Sequence, residues 1–428
     1  MSCITMDNRH SSRTRRYVAV ALIIVIIALL LIPTIDALSV AGFLGDKTYL
    51  LILQDNSEIR STGGLMTVMG VLTTHNGNIA SLEYYYWNLG QQTGIVAIDG
   101  PESFTKFFGV NAAAISDSNV QYDFASFAPK MHSDFYNVTG KSVDGIVAID
   151  LTAIEAVMNV TGPITTSDGV ITSYNVADRL HYYAGSAERS DKTSLTSLLS
   201  TLTHDLFQQI RDASVPQKLA LLGTLRTLEA EKHVLLYPSE GFLFRNAGGE
   251  PETRSGDFIS TVDITLGTAK ADFDINRAID YRVELLADGS AVANLTISYA
   301  NRNFWDYDVF STTLVPPGAE LVAAHNVTHA FKGPQVTGGE GLTAFSSRLI
   351  VAADTNGSVT YSYKIPNIVH DSGMGHRYDL TVVKQAGVVR YGLNVSVHLP
   401  PGAKAISTEN VGSHMVLTED AHISVVYR

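Results

Sequence analysis

The chain is expected to fold as an α/β (or α+β) head domain followed by an all-β sandwich, behind one N-terminal transmembrane helix. Three observations carry that expectation. Residues 17–35 (YVAVALIIVIIALLLIPTI) form an apolar run without a charge. Residues 46–245 alternate short apolar strand patterns with helical ones. After about residue 255 the helical periodicity ends, and short strand patterns punctuated by Gly, Pro and Asn replace it. The implied organisation is a cytoplasmic tail at 1–16, the membrane helix at 17–35 and the α/β extracytoplasmic head at 46–245. A linker at 246–256 (NAGGEPETRSG) then leads to a β-sandwich region at 257–428.

The membrane helix rests on length and sidedness. Nineteen residues at 1.5 Å each span roughly 28 Å, close to the hydrocarbon thickness of a bilayer. A buried core helix would show a polar stripe, and this run has none. A cleavable signal peptide would have a shorter apolar core and a small-x-small site, where this chain has Pro33 and Asp36. Arg9, Arg13, Arg15 and Arg16 precede the run. The positive-inside rule therefore keeps the N-terminus in the cytoplasm and places the bulk of the chain outside, as a single-pass protein of the cell membrane. Six Asn-x-Ser/Thr sequons, at Asn137, Asn159, Asn294, Asn326, Asn356 and Asn394, fit an exported chain and are its glycosylation candidates.

Composition narrows the chemistry. The only cysteine is Cys3, so the exported part has no disulfide, no thiolate nucleophile and no cysteine-ligated metal. The chain carries 30 basic and 42 acidic residues; without the four arginines and one aspartate of the first 16, the net charge is −15. A surface of that sign repels phosphate backbones, so nucleic acid is not an expected partner. There is no His-Glu-x-x-His, Gly-x-Ser-x-Gly or Gly-x-x-x-x-Gly-Lys segment.

Within the head, KTYLLIL (47–53), LMTVMGVLTT (65–74) and residues 79–87 read as strands, the last two joined by an Asn-Gly turn. SVDGIVAI (142–149) reads as a further strand, with Asp150 at its end and a helix from Thr152. Leu195, Leu198, Leu199, Leu202, Leu206, Phe207 and Ile210 share one face of a helix over 192–212. Pro216 suits the first turn of a helix reaching about Lys232. In the β region YRVELLADG (281–289) resembles YDLTVVKQAG (378–387), and two Pro-Pro-Gly turns lie 84 residues apart. This weak internal repeat favours one large sandwich, or one and a half modules, over two complete ones.

The segment best suited to chemistry is QDNSEIRSTGG (54–64), between two apolar strands. Loops at strand ends carry sites on α/β scaffolds. Gly63 and Gly64 let backbone N–H groups converge on an anion. Arg60 offers a bidentate fork for phosphate or carboxylate. Asp55 and Glu58 could hold Mg²⁺. The competing reading pairs Arg60 with Glu58 or Asp55 and gives the glycines to turn geometry. Asp150 could join the cluster, though an N-cap is the commoner role for an Asp there; Asp123 is a possible ligand and more often a turn residue. Tyr84-Tyr85-Tyr86-Trp87 and Phe304-Trp305-Asp306-Tyr307 are candidate contact surfaces whose plainer role is packing.

LLILQDNSEIRSTGG, HNGNI, VDGIVAIDLTAIEAVMNVTGPI and YDLTVVKQAG…VHLPPGA together resemble the membrane-anchored proteins with domain of unknown function 4012. That resemblance implies an envelope location and no mechanism. A fainter similarity links the head to LytR–CpsA–Psr phosphotransferases. It is carried by Arg60-Ser61, Val110-Asn-Ala-Ala113, residues 143–163 and Glu188-Arg189-Ser-Asp191. It implies transfer of glycopolymer from a polyprenyl pyrophosphate, with Arg189 as a further ligand residue. Thr62-Gly63 stand where those enzymes carry Asp-Thr, and no Ile-Pro-Arg-Asp segment is present. The leading expectation is thus a membrane-anchored envelope protein binding an extracellular glycan, lipid-linked saccharide or envelope protein. The alternative is a Mg-dependent phosphotransferase or hydrolase acting on polyprenyl-linked phosphosugars.

Overall fold

The computed structural model describes residues 46–75, 78–85, 95–97, 104–105, 109, 112–166, 168–189, 198–199, 201–202, 205–206, 208–210, 212–237, 256–266, 270–326, 335–339 and 341–428. The apolar run 17–35 and most of the linker 246–256 lie outside them. Among the described residues no helix is long and apolar enough to cross a membrane.

Among the described residues β-sheet predominates and helices are few. The first part contains β1 (Lys47–Asp55), β2 (Leu65–His75), β3 (Asn78–Tyr85), and the short pair β4 (Ile95–Ala97) and β5 (Ala112–Ala114). These are followed by α1 (Phe124–Thr139), β6 (Gly145–Asp150), α2 (Leu151–Thr161), and the hairpin β7 (Ile164–Thr166) and β8 (Gly169–Ile171). Then come α3 (Val176–Arg189), α4 (Val215–Ala230) and β9 (Val234–Tyr237). The described residues between 198 and 212 are also helical.

Five of these strands form one sheet in the order β3-β2-β1-β6-β9. β1 and β6 are parallel, and the other pairings are antiparallel. Strand alternation gives the sheet two apolar faces. Tyr49, Val147, Ile149 and Leu236 face α2, α3, the 198–212 helix and α4. Leu50, Ile52, Ile146 and Ala148 face Phe124, Phe127, Met131 and Phe135 of α1. Helices on both faces explain why β6 is buried along its whole length and reads as a continuous apolar run.

The strand runs in 47–53, 65–74 and 142–149 and the helices after Asp150 and around Pro216 appear within a few residues of their expected bounds. The sequence reading did not include α1, although Phe124, Phe127, Ala128, Met131 and Phe135 follow helical spacing and Asp123 caps the helix by accepting from Ser126 N at 2.7 Å. It also omitted α3, although Val176, Ala177, Leu180 and Tyr183 recur at helical spacing and are buried on one face.

The second part is a sandwich of two sheets. One is eight-stranded, in the order β15-β16-β13-β10-β19-β23-β21 with β18 beside β19; the other is six-stranded, β14-β17-β12-β11-β20-β22. Their strands are β10 (Asp257–Thr265), β11 (Ile275–Leu285), β12 (Ala291–Asn301), β13 (Tyr307–Val315), β14 (Glu320–His325), β15 (Gln335–Gly339), β16 (Leu342–Val351) and β17 (Asn356–Ile365). The remainder are β18 (Val369–Asp371), β19 (His376–Val383), β20 (Tyr391–His398), β21 (Ala405–Glu409), β22 (Gly412–Leu417) and β23 (Ala421–Tyr427).

One apolar cluster fills the space between the sheets. The repeated tyrosines meet inside it. Tyr281 on β11 and Tyr378 on β19 come from opposite sheets, and both donate to Asp257 Oδ2, at 2.5 and 2.6 Å. Burial pushes that carboxyl up to about 6, against the opposing pull of the two hydroxyls. The similar segments are therefore facing strands of one core.

Candidate functional site

The loop 54–64 joins β1 to β2. It is almost wholly buried, although it is a polar connection. A buried loop must satisfy its own amides and carbonyls. Part of this is done locally: Glu58 N donates to Asp55 O at 3.0 Å, Gly63 N to Arg60 O at 3.1 Å and Leu65 N to Glu58 O at 3.0 Å. Asn119 of the head donates to Gly64 O at 2.9 Å, and the sandwich does more. Asp272 N donates to Ser57 O at 2.9 Å, and Thr265 N to Ile59 O at 3.1 Å. Gln385 Nε2 donates to Arg60 O at 3.1 Å, and Asn56 Nδ2 donates to Gly387 O at 2.9 Å. Thr62 forms a parallel bridge with Ala386.

Side chains cross the same boundary in both directions. Ile59, fully buried, belongs to the sandwich core, and Ala386 of the sandwich belongs to the head core. The glycines make this approach possible. A Cβ on Gly387, at φ +80°, would stand 1.9 Å from Gly63 O; one on Gly64 would stand 2.5 Å from the Asp55 carbonyl. Gly63 itself has φ +130°.

The charged residues of the loop divide into two groups. Asp55 Oδ1 accepts from Ser57 N at 3.1 Å and Ser57 Oγ at 2.5 Å. Its Oδ2 lies 2.9 Å from His181 Nε2 and bonds Lys270 Nζ. Lys270 also reaches Glu58 Oε1 at 3.1 Å. Burial works against the Asp55 charge, but the His181 hydrogen bond and the Lys270 charge outweigh it and hold the carboxyl below the usual range. At Glu58 burial prevails and raises the carboxyl despite Lys270. Arg60 turns elsewhere. Its Nη1 donates to Ile59 O and Thr265 O, both at 3.1 Å, and to Thr265 Oγ1 at 2.8 Å; Nη2 is 3.9 Å from Asp117 Oδ1. The cation beside Asp55 and Glu58 is thus Lys270, from the start of the sandwich, and not Arg60.

Asp150 lies beside Gln54 in the β1–β6 register. Its Oδ1 accepts from Ala153 N at 2.9 Å, capping α2, and its Oδ2 lies 2.5 Å from His233 Nδ1. Arg189 ends α3, and its side chain is not among those described. The structure therefore gathers Asp55 and Glu58 around Lys270 and His181, gives Arg60 to β10, and gives Asp150 to His233. The ammonium between Asp55 and Glu58 neutralises the pair considered for Mg²⁺, so these residues do not fit that ion while Lys270 holds its place. Among the described residues no group of three or more His, Cys, Asp and Glu could hold a metal ion.

A second contact between the two parts centres on lysines. Lys232 Nζ donates to Lys384 O at 3.1 Å and bonds both oxygens of Asp420, at 2.7 and 2.8 Å. Lys384 Nζ donates to Glu231 O at 2.5 Å, just past the C-terminus of α4, where the helix dipole favours a cation. Burial, together with Lys232, still lowers Lys384 to about 7. The sequence reading missed His181, Lys270, His233, Lys232 and Lys384. Lys384-Gln385-Ala386-Gly387 did stand inside a quoted repeat, but nothing there marks it as the partner of residues more than 300 positions earlier.

Of the glycosylation candidates, Asn137, Asn159, Asn294, Asn326 and Asn356 are exposed. Asn394 is half-buried, and its Oδ1 accepts from His414 N at 2.6 Å. Tyr85 is buried against Phe135, whereas Tyr86 and Trp87 lie outside the described residues.

The family model for a protein of unknown function (DUF4012) matches residues 45–184. No curated protein matches the sequence. Among solved structures, similarity extends to protein gbs0355 from Streptococcus agalactiae, at 10% identity over 48% of this chain and 72% of that one, with a TM-score of 0.29. It extends also to the transcriptional regulator yvhJ from Bacillus subtilis, at 10% identity over 42% and 76%, with a TM-score of 0.24. A third is TagT bound to LI-WTA, at 12% identity over 45% and 69%, with a TM-score of 0.24. From residue 45 to 184 the chain thus resembles the proteins of domain of unknown function 4012, and TagT, of the LytR–CpsA–Psr type, is among its structural neighbours.

Proposed function

We propose that this chain is a single-pass protein of the cell envelope that works by binding, with an extracellular glycan, lipid-linked saccharide or envelope protein as ligand. Residues 17–35 supply the anchor, the N-terminus is cytoplasmic and the rest extracytoplasmic. The observation that carries the binding reading is the use made of loop 54–64. Its carboxylates are taken by Lys270 and His181, and its arginine by Thr265 and main-chain carbonyls. A phosphotransferase would need Arg60 aimed at developing charge on phosphate. Here Arg60 secures the sandwich to the head.

The alternative, a Mg-assisted transfer or hydrolysis of polyprenyl-linked phosphosugars, makes a different demand on the same residue. Arg60→Ala is compared with wild type in a lipid-pyrophosphate binding and transfer assay, with melting temperature followed in parallel. The binding reading expects no turnover from either protein. Turnover by wild type that the variant loses while still folded would establish the enzyme instead. Location is read separately: protease added outside spheroplasts should digest residues 46–428 and leave the N-terminal tail protected.

A further inference from the structure

The head grips one end of the sandwich, and the other end carries a groove. Ile275, at the start of β11, follows the Asp272–Asp274 turn that bonds Ser57; Leu285, at its end, opens the opposite pole. Eleven residues of strand place the two poles roughly 35 Å apart. At the far pole three loops enclose about 470 Å³, a volume in the range of small-ligand sites. The walls are apolar at Leu286, Pro400 and Tyr427, and polar at Asp371, His376 and Arg428. His376 Nδ1 lies 3.1 Å from Asp371 Oδ1, and its ring packs against Tyr427 at 5.5 Å between centroids. Asp371 and His376 are both well exposed, so their hydrogen-bonding capacity faces outward.

The groove is held in shape by the main chain. Ser372 N donates to Gly375 O at 2.8 Å, and Ile368 N and Val369 N both donate to Gly289 O. Lys404 and Arg428 exchange amide–carbonyl bonds at 2.7 and 3.0 Å. Gly375, at φ +146°, passes so close to Tyr427 O that a Cβ there would stand 2.3 Å from it.

We propose that this polar groove binds a short segment of neutral glycan. The inference rests on the binding reading above and assigns it a place and a ligand class. A carboxylate, an imidazole and a guanidinium accept from and donate to sugar hydroxyls, while the Leu286, Pro400 and Tyr427 surfaces suit the apolar C–H faces of pyranose rings. Acid groups at the rim, Asp371 and Asp288, with a chain of net charge −12, disfavour anionic polymers and anionic lipid surfaces.

The test uses the full chain in detergent and an array of neutral oligosaccharides: chitotetraose, maltotetraose, mannotetraose and xylotetraose. Binding is measured by titration for wild type, Asp371→Asn, His376→Gln and, at the other pole, Asp354→Asn. All three positions are exposed, and melting curves verify their folds. The expected result is binding of at least one oligosaccharide, weakened tenfold or more in the first two variants and unchanged in Asp354→Asn. Binding that Asp371→Asn and His376→Gln leave intact would overturn the groove and keep the binding reading. Absence of binding across the array would overturn the glycan assignment. Phosphosugar turnover by the same preparation would overturn the binding reading itself.

Discussion

The head and the sandwich are filled by different kinds of core. The head packs Leu, Ile, Val, Met and Phe from helices onto two faces of one sheet, and its buried acids Asp55, Glu58 and Asp150 stand at or just past strand ends. The sandwich encloses tyrosines and charge. Arg277, in its interior, bonds Asp263 Oδ2 at 2.9 Å, Asp272 Oδ1 at 2.5 Å and Tyr307 OH at 2.6 Å, and its guanidinium lies 5.8 and 5.6 Å from the ring centres of Tyr299 and Tyr307. Asp257 binds two further tyrosines. The head tolerates many apolar arrangements of similar volume. The sandwich interior demands that each buried polar group meet a particular partner. That demand falls beside the head, because β10 carries Asp263 and Thr265 and receives loop 54–64.

Breaking the charge network should have the largest effect. Arg277→Met leaves Asp263 and Asp272 buried without their cation, and should cost about 3–5 kcal/mol in chemical denaturation. A loss under about 1 kcal/mol would erase the contrast between the two cores.

Next is Ile59→Ala. The residue belongs to the head by sequence and to the sandwich by packing, and the truncation should cost about 2–4 kcal/mol. Hydrogen exchange should show protection lost in β10 as well as around β1 and β2. Loss confined to the head would mean that the two cores are separate.

Asp257→Asn should act least at acid pH. Its folded carboxyl titrates near 6, above the usual unfolded value, so the folded state holds the extra proton between about pH 4 and 6. Wild-type stability should therefore fall as pH rises through that window, by about 3 kcal/mol at most. The asparagine variant should show a flatter profile. An unchanged slope would place the titration elsewhere.

The same contrast explains what could be read from the sequence. Head strands announce themselves as apolar runs, and Asp150 stands where a helix cap belongs. β10 (DFISTVDIT) is buried at every position, yet five of its nine residues are Asp, Ser or Thr, both ends included, so no apolar period marks it. Its polarity makes sense only beside Arg277, Tyr281, Tyr378 and Gln385, which lie elsewhere in the sequence. Loop 54–64 misled for the same reason. Charges and paired glycines between two strands have the appearance of a solvent-facing site, and only the distant residues 265, 272 and 384–387 turn them inward. Phe304 and Trp305 could be noticed in the sequence, but that the first is 96% and the second 65% exposed could not.

The Thr62–Ala386 bridge and the Asn56–Gly387 bond join positions separated by more than 320 residues. On the ribosome, the first of each pair emerges long before the second is synthesised. Until then a nascent head lacks Ala386 from its own core, and Asn56, Arg60 and Thr62 are without their partners Gly387, Gln385 and Ala386. A truncated product ending before Lys384 would keep that adhesive surface for good, which makes it a natural substrate for chaperones and proteases. The last forty-five residues thus act as the closing stitch of the first domain, and completeness of translation is written into its stability.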